Sequence, residues 1–371
     1  MFDEHLLRLI PSPQTQVLLR PDLPAWLRKH SRIVLYRLCS ASMLYPQCYV
    51  LKGIVKEDSP EASGGFGDIY KGRLGDKKLC LKVVRLSKKS DVIPALKGLA
   101  KEGIVWGQLI HPHILPFYGI YYLEETYEQI CLVSPWMNNS DLGTYLKRNP
   151  AVLRTPFIHD IANGLEYLHH EDVIHGDMKA ANVLVSNSGK ACITDFGLSS
   201  IPTDQTLAYT RGATTVVGCS FRWTAPELLE EGCRATPASD VWAFGCVCYE
   251  ILFGELPFHK CTNDIQVMRM LDKGVSPFEP RPDIPIPEID VDTWTLIESC
   301  CIREPKDRPS SPKLSQGLRQ FSKVNEKDVS PQTTPEGLEF QNEMRSREGV
   351  SINLEMVKQM LNKLEVRPGP S

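Results

Sequence analysis

Hydrophobic and polar residues change their spacing along this chain of 371 residues, and the change marks where strands give way to helices. From Cys48 to Val133 the apolar residues come in short or alternating runs. Tyr49–Val55 predicts a first strand, and Asp68–Lys71 a second, after a glycine cluster. Leu79–Val84 reads as a buried strand carrying one lysine, and a helix is predicted around Pro94–Leu109. Phe117–Leu123 and Gln129–Val133 flank the polar Glu124-Glu125-Thr126 and predict a hairpin. After Pro135 the spacing becomes helical. Phe157, Ile158, Ile161, Leu165 and Leu168 recur on one face of Thr155–His170, whereas Val241–Leu252 is apolar nearly all round, as in a buried central helix. Further helices are predicted at Asp264–Leu271, Val291–Cys301 and Ser311–Phe321. A strand-rich part followed by a helical part is an α+β, two-lobed arrangement.

The flanks differ from this core. Residues 1–45 form a lead-in whose Ala25–Cys39 reads as a basic amphipathic helix, with Arg28, Lys29, Arg32 and Arg37 beside Trp26, Leu27, Ile33 and Leu38. Such a helix can lie on a membrane surface. Its shortness and the lack of a lipidation motif favour packing on the domain that follows. That domain is expected over 46–322, with a strand-rich lobe 46–133, a connection 134–138 and a helical lobe 139–322. The tail 323–371 is polar and largely disordered by composition. Within it, Ile352, Met356, Met360 and Leu364 predict a helix over 351–366, which could dock on the domain or on a partner.

Composition narrows the class only modestly. Apolar residues make up 42%, charged residues 23%, and the net charge is -3, which argues against nucleic acid as the main partner. The twelve cysteines are scattered and lack paired C-x-x-C spacing, which argues against a zinc site and for a reducing, intracellular setting. No apolar run is long enough for a transmembrane segment, and Met1-Phe2-Asp3-Glu4 does not begin like a secretory signal. The expectation is a soluble, cytoplasmic protein.

The candidate chemistry lies in a few short segments. Gly64-Gly65-Phe66-Gly67 could bring backbone N–H groups close to phosphate oxygens, although a plain hairpin turn would look similar. Lys82 interrupts an apolar strand and needs an anion unless it faces solvent, and Glu102 on the next helix is a candidate partner. His175-Gly176-Asp177-Met178-Lys179-Ala180-Ala181-Asn182 collects a carboxylate, an ammonium and an amide, and Asp195-Phe196-Gly197 adds a second carboxylate. This set can hold a nucleoside triphosphate, its magnesium ions and an incoming hydroxyl.

Gly64-x-x-Gly67-x-Ile69, Lys82, Glu102, His175-Gly176-Asp177, Asn182, Asp195-Phe196-Gly197, Ala225-Pro226-Glu227, Asp240 and Arg308 follow the order and spacing of the eukaryotic protein kinases, which the chain resembles from about Val50 to Phe321. The resemblance implies a glycine loop from Ala62 to Ile69 over the ATP phosphates, with Ala62 in place of the usual first glycine. It implies that Lys82 contacts the α- and β-phosphates and pairs with Glu102, and that Asn182 and Asp195 hold Mg2+. Asp177 would orient the substrate hydroxyl and Lys179 would steady the γ-phosphate. Adenine would bond the backbone of Pro135 and Met137, with Ser134 at the deep end of its pocket and Val83, Leu132 and Leu184 as pocket or core residues. The resemblance also implies bracing of Glu227 by Arg308, Asp240 bonding to the catalytic-loop backbone, and a packed column of Trp106, His175 and Phe196.

Lys179 followed by Asn182 is the serine/threonine form of the loop, whereas Phe221–Glu227 and Cys131–Met137 resemble tyrosine kinases; the mixture resembles the tyrosine-kinase-like group. The reading is a protein kinase acting on serine and threonine in intracellular signal transduction. The alternatives are a tyrosine or dual-specificity kinase and a pseudokinase scaffold. A membrane-bound receptor kinase lacks a visible span. Gly176 stands where many kinases carry an arginine that pairs with a phosphorylated activation segment. Activity is therefore expected to depend less on phosphorylation among Thr203, Thr206, Tyr209, Thr210, Thr214 and Thr215.

Overall fold

In the computed structural model of the protein, the described residues are 49–64, 67–83, 92–123, 130–197, 199, 221–230, 232–278, 289–321, 339–340 and scattered positions between 28 and 39. The expected helix 351–366, Gly65 of the glycine loop and the threonines and tyrosine of the activation segment lie outside them. The chain divides into two units, one of residues 1–110, 116–136 and 337–371, the other of residues 111–115 and 137–336.

The first unit is built on an antiparallel sheet of β1 (Val55–Lys56), β2 (Ala62–Gly64), β3 (Gly67–Leu74), β4 (Lys77–Val83), β5 (Gly119–Tyr122) and β6 (Ile130–Pro135). Its order is β1-β3-β4-β6-β5, with β2 paired to β3. Side chains alternate across β4. Leu79, Leu81 and Val83 are buried, while Cys80 and Lys82 are only partly covered on the opposite side. Helix α1 (Val92–Gly107) lies between β4 and β5 in the chain.

The strand expected over Tyr49–Val55 is not continuous. Val50 makes an isolated parallel bridge to Ile120, and only Val55–Lys56 is strand. Gly53 at φ 74° turns the chain between them, a left-handed conformation that a strand cannot contain. Strand β6 runs two residues past the expected lobe boundary at 133, since Ser134 and Pro135 pair with Cys80 and Leu79. Proline is tolerated there because it is the last residue of the strand.

The described positions of the lead-in helix are helical, and Ser31, Arg32, Leu35 and Cys39 are buried. Arg32, grouped by sequence with the helix's basic residues, has its Nε donating to Gln108 Oε1 at 3.2 Å. In the tail, the described Glu339 and Phe340 are helical, and Phe340 is buried in the sheet's apolar cluster.

The second unit is helical. It contains α2 (Leu142–Arg148), α3 (Thr155–His170), the short pair β7 (Val183–Val185) and β8 (Ala191–Ile193), then α4 (Pro237–Phe253), α5 (Asp264–Asp272), α6 (Val291–Cys300) and α7 (Ser311–Phe321). A reciprocal capping box of Thr236 and Ser239 starts α4, and nearly every residue from Ser239 to Leu252 is buried. Segment 111–115, expected in the strand-rich lobe, belongs to this unit. Leu115 N–H donates to Ile193 O and Ile193 N–H to His113 O, each at 2.9 Å, and the His111 ring stacks on Tyr167.

Candidate active site

The candidate residues fall into two groups, one in each unit. In the first, β2 and β3 form a hairpin whose register sets Ala62 opposite Ile69 and Gly64 opposite Gly67. Ser63 Oγ donates to Asp68 Oδ1 at 2.6 Å and closes the hairpin near its tip. Ile69 is in turn paired with Lys82 on β4. The Lys82 ammonium donates to Glu102 Oε1 on α1 at 2.9 Å, with little exposure on either side chain. A lysine in an apolar strand thus has its counter-charge, and the ion pair holds its end in place. Ser134 is buried opposite Cys80, and burial pushes the Cys80 thiol up to about 11, against the Ser134 hydrogen bond and the Lys82 charge. Val83 and Leu132 are buried, as is Trp106, which packs against Phe117.

In the second unit the loop from His175 to Asn182 folds on itself. Lys179 Nζ donates to Asp177 Oδ2 at 2.7 Å. Asn182 Nδ2 donates to the same oxygen at 3.0 Å and to the Asp177 carbonyl at 2.8 Å. Both bonds are donated by the amide nitrogen of Asn182. Asp195 has φ 67°, a left-handed backbone that aspartate tolerates better than most residues and that is concentrated at functional sites. Thr194 N–H donates to Asn182 O at 3.0 Å, which ties the residue before Asp195 to the loop.

His175 is fully committed. Its Nε2 meets Thr194 O at 2.9 Å, and its Nδ1 accepts the Asp177 N–H at 3.2 Å. The carbonyl requires a donor and the N–H requires an acceptor, which specifies the neutral Nε2–H tautomer. The ring also packs edge-on against Phe196. Both ring nitrogens of His175 are thus engaged inside the protein.

From α4, Asp240 accepts the N–H groups of His175 (2.8 Å) and Gly176 (2.9 Å). Gly176 sits at φ 79°, so the loop passes through a conformation that only glycine adopts without strain. Gly176→Ala is expected to destabilise the protein by about 1–2 kcal/mol, measured by denaturant unfolding. An equal or higher midpoint would refute this account of the loop.

Two residues here were not singled out from the sequence. Glu250 Oε2 accepts the Ala180 N–H at 3.3 Å and the Trp223 indole N–H at 3.0 Å, joining the catalytic loop to the segment before Ala225-Pro226-Glu227. Burial holds its carboxyl above the ordinary range, partly offset by those two donors. His169 Nε2 meets Asp240 Oδ2 at 3.1 Å, and its Nδ1 meets Ser311 Oγ at 2.9 Å. The signal for Glu250 was available: a carboxylate at the end of an apolar helix needs donors, as Lys82 in an apolar strand needs an anion. Further out, Arg308 binds Glu227 through both terminal guanidinium nitrogens, at 2.7 and 2.8 Å.

A two-lobed α+β fold with these loops defines a class of phosphotransferase. A family model described as protein tyrosine and serine/threonine kinase matches residues 58–318, and the chain belongs to that protein kinase family. Human (Homo sapiens) ephrin type-A receptor 1 is 30% identical over 272 residues, which cover 71% of this chain and 26% of the receptor. Serine/threonine-protein kinase STY46 of Arabidopsis thaliana is 27% identical over 282 residues, covering 75% and 46%. Ephrin type-B receptor 1 of Gallus gallus is 27% identical over 298 residues, covering 75% and 28%. The chain thus spans about a quarter to a half of the length of these curated relatives. No helix among the described residues is long and apolar enough to cross a membrane.

Proposed function

We propose that the protein transfers the γ-phosphate of Mg-ATP to serine and threonine hydroxyls of other proteins, as a cytoplasmic component of signal transduction. The observation that carries this reading is the closed set Asp177–Lys179–Asn182, which fixes an acceptor carboxylate, a cation and an amide oxygen within one loop. Asp177 accepts the hydrogen bond of the incoming hydroxyl and orients it. Lys179, held against Asp177, turns its charge to the transferring phosphoryl group. Lys82, positioned by Glu102, binds the α- and β-phosphates, and the Ala62–Ile69 hairpin with Gly64, Gly65 and Gly67 covers them. Pro135 and Met137 offer backbone atoms to adenine.

Asn182 and Asp195 supply hard oxygen donors of the kind magnesium takes, few enough that water and phosphate complete its shell. When bound, the ion neutralises charge on the phosphates. The domain limits we propose are 46–322, with the flanks as separate segments.

The serine/threonine assignment is supported by Lys179 and by the name of the Arabidopsis relative. A tyrosine or dual-specificity reading is favoured by Phe221–Glu227 and by the receptor relatives. A peptide-library assay with Mg-ATP and mass-spectrometric site mapping tests the choice. Phosphate is expected on serine and threonine, and label on tyrosine alone would overturn that. Equal label from Asp195→Ala would leave a scaffold. In the same assay, phosphatase-treated protein is expected to stay active because Gly176 offers no side chain to a phosphorylated segment.

A further inference from the structure

Phe340 lies well outside the stretch that matches the kinase family, yet it is only 6% exposed. Its ring meets Tyr118 edge-on at 4.8 Å, and Lys77 Nζ stands 4.0 Å from the ring centre. It belongs to one buried cluster with Leu51, Ile54, Leu79, Leu81 and Val83. Glu339 beside it is exposed, so the aromatic ring carries the contact. The cluster includes the apolar side of β4, the strand whose other side carries Lys82.

We propose that this face of the sheet is a docking site for an aromatic-anchored segment, that its resident occupant is the chain's own C-terminal tail, and that docking of Phe340 steadies the strand presenting Lys82. An edge-on aromatic contact and a cation over the ring are what an aromatic side chain receives and an aliphatic one does not. The tail is covalently tethered, so its effective concentration at the site is of millimolar order and excludes weaker competitors. The site does not depend on catalysis, and it can be tested without any phosphate transfer.

The probe is a fluorescent peptide of residues 333–346, measured by anisotropy against the full chain. Phe340→Ala protein, its site vacated, is expected to bind the peptide saturably and at least tenfold tighter than the unsubstituted chain does. A peptide carrying the same Phe340→Ala change is expected to lose at least tenfold in affinity. Hydrogen exchange at residues 79–83 should quicken at least tenfold in Phe340→Ala and return to the parent rate with saturating peptide. If Phe340→Ala does not fold, Phe340→Leu, which keeps an apolar side chain but loses the ring, serves in both measurements. Equal affinity for the two peptides, or unchanged exchange, would overturn the proposal. A dimer that exchanges tails, seen by sedimentation, would assign the occupant to a second copy and overturn the intramolecular form.

Discussion

Asp177→Asn is expected to lower kcat by about 10²–10⁴-fold and to leave the fold intact. The substitution keeps the size of the side chain, so the loop can retain its shape. The oxygen that meets Lys179 at 2.7 Å and Asn182 at 3.0 Å must still accept. An amide therefore turns its oxygen to those donors and its NH2 to the place of the incoming hydroxyl. An NH2 group cannot accept the hydroxyl's hydrogen bond, and orientation of the nucleophile is lost. Steady-state kinetics with a peptide substrate would measure the effect, alongside a thermal melt to show that folding is unaffected. A kcat within tenfold of the parent would remove Asp177 from the reaction.

Glu227→Ala has the largest expected effect on stability, a loss of about 3–5 kcal/mol. Arg308 has no side-chain exposure, and Glu227 little. The guanidinium also donates to the carbonyls of Ala238, Ile302 and Arg303, and lies 5.0 Å from the centre of the Trp242 ring. These contacts keep it buried when its carboxylate is removed, so the charge is stranded away from water. A unit of this size loses roughly 2–4 °C in Tm per kcal/mol, which puts the melting temperature some 6–20 °C lower. Glu227→Gln, which keeps one acceptor and loses the charge, should fall between the two. A Tm change under about 2 °C for Glu227→Ala would mean the pair does not brace the segment after Trp223.

Regular patterning was legible where one rule governed a whole element. The periods of Thr155–His170 and Ser311–Phe321 end where the helices end. The run Tyr49–Val55 misled because Tyr49, Leu51 and Ile54 are buried without a continuous strand, with Gly53 turning the chain and Val55 exposed. Segment 111–115 misled because its placement depends on partners nearly 80 residues away, Ala191 and Ile193. Motif spacing singled out Asp177, Lys179, Asn182 and Asp195. It was silent on Glu250, whose partners are a backbone N–H and an indole N–H, and on His169, whose partners are the Asp240 carboxylate and the Ser311 hydroxyl, all brought up only by tertiary structure. Phe340 was the least legible, since a lone aromatic in a polar tail has no period.

Arg32 and Phe340 show that the folded unit is wider than the stretch shared with the family, which runs from 58 to 318. Both side chains are buried in the first unit, Phe340 against the sheet and Arg32 against Gln108 just past α1. A substitution at Phe340 can therefore reach Lys82 through β4 without touching any motif of the family.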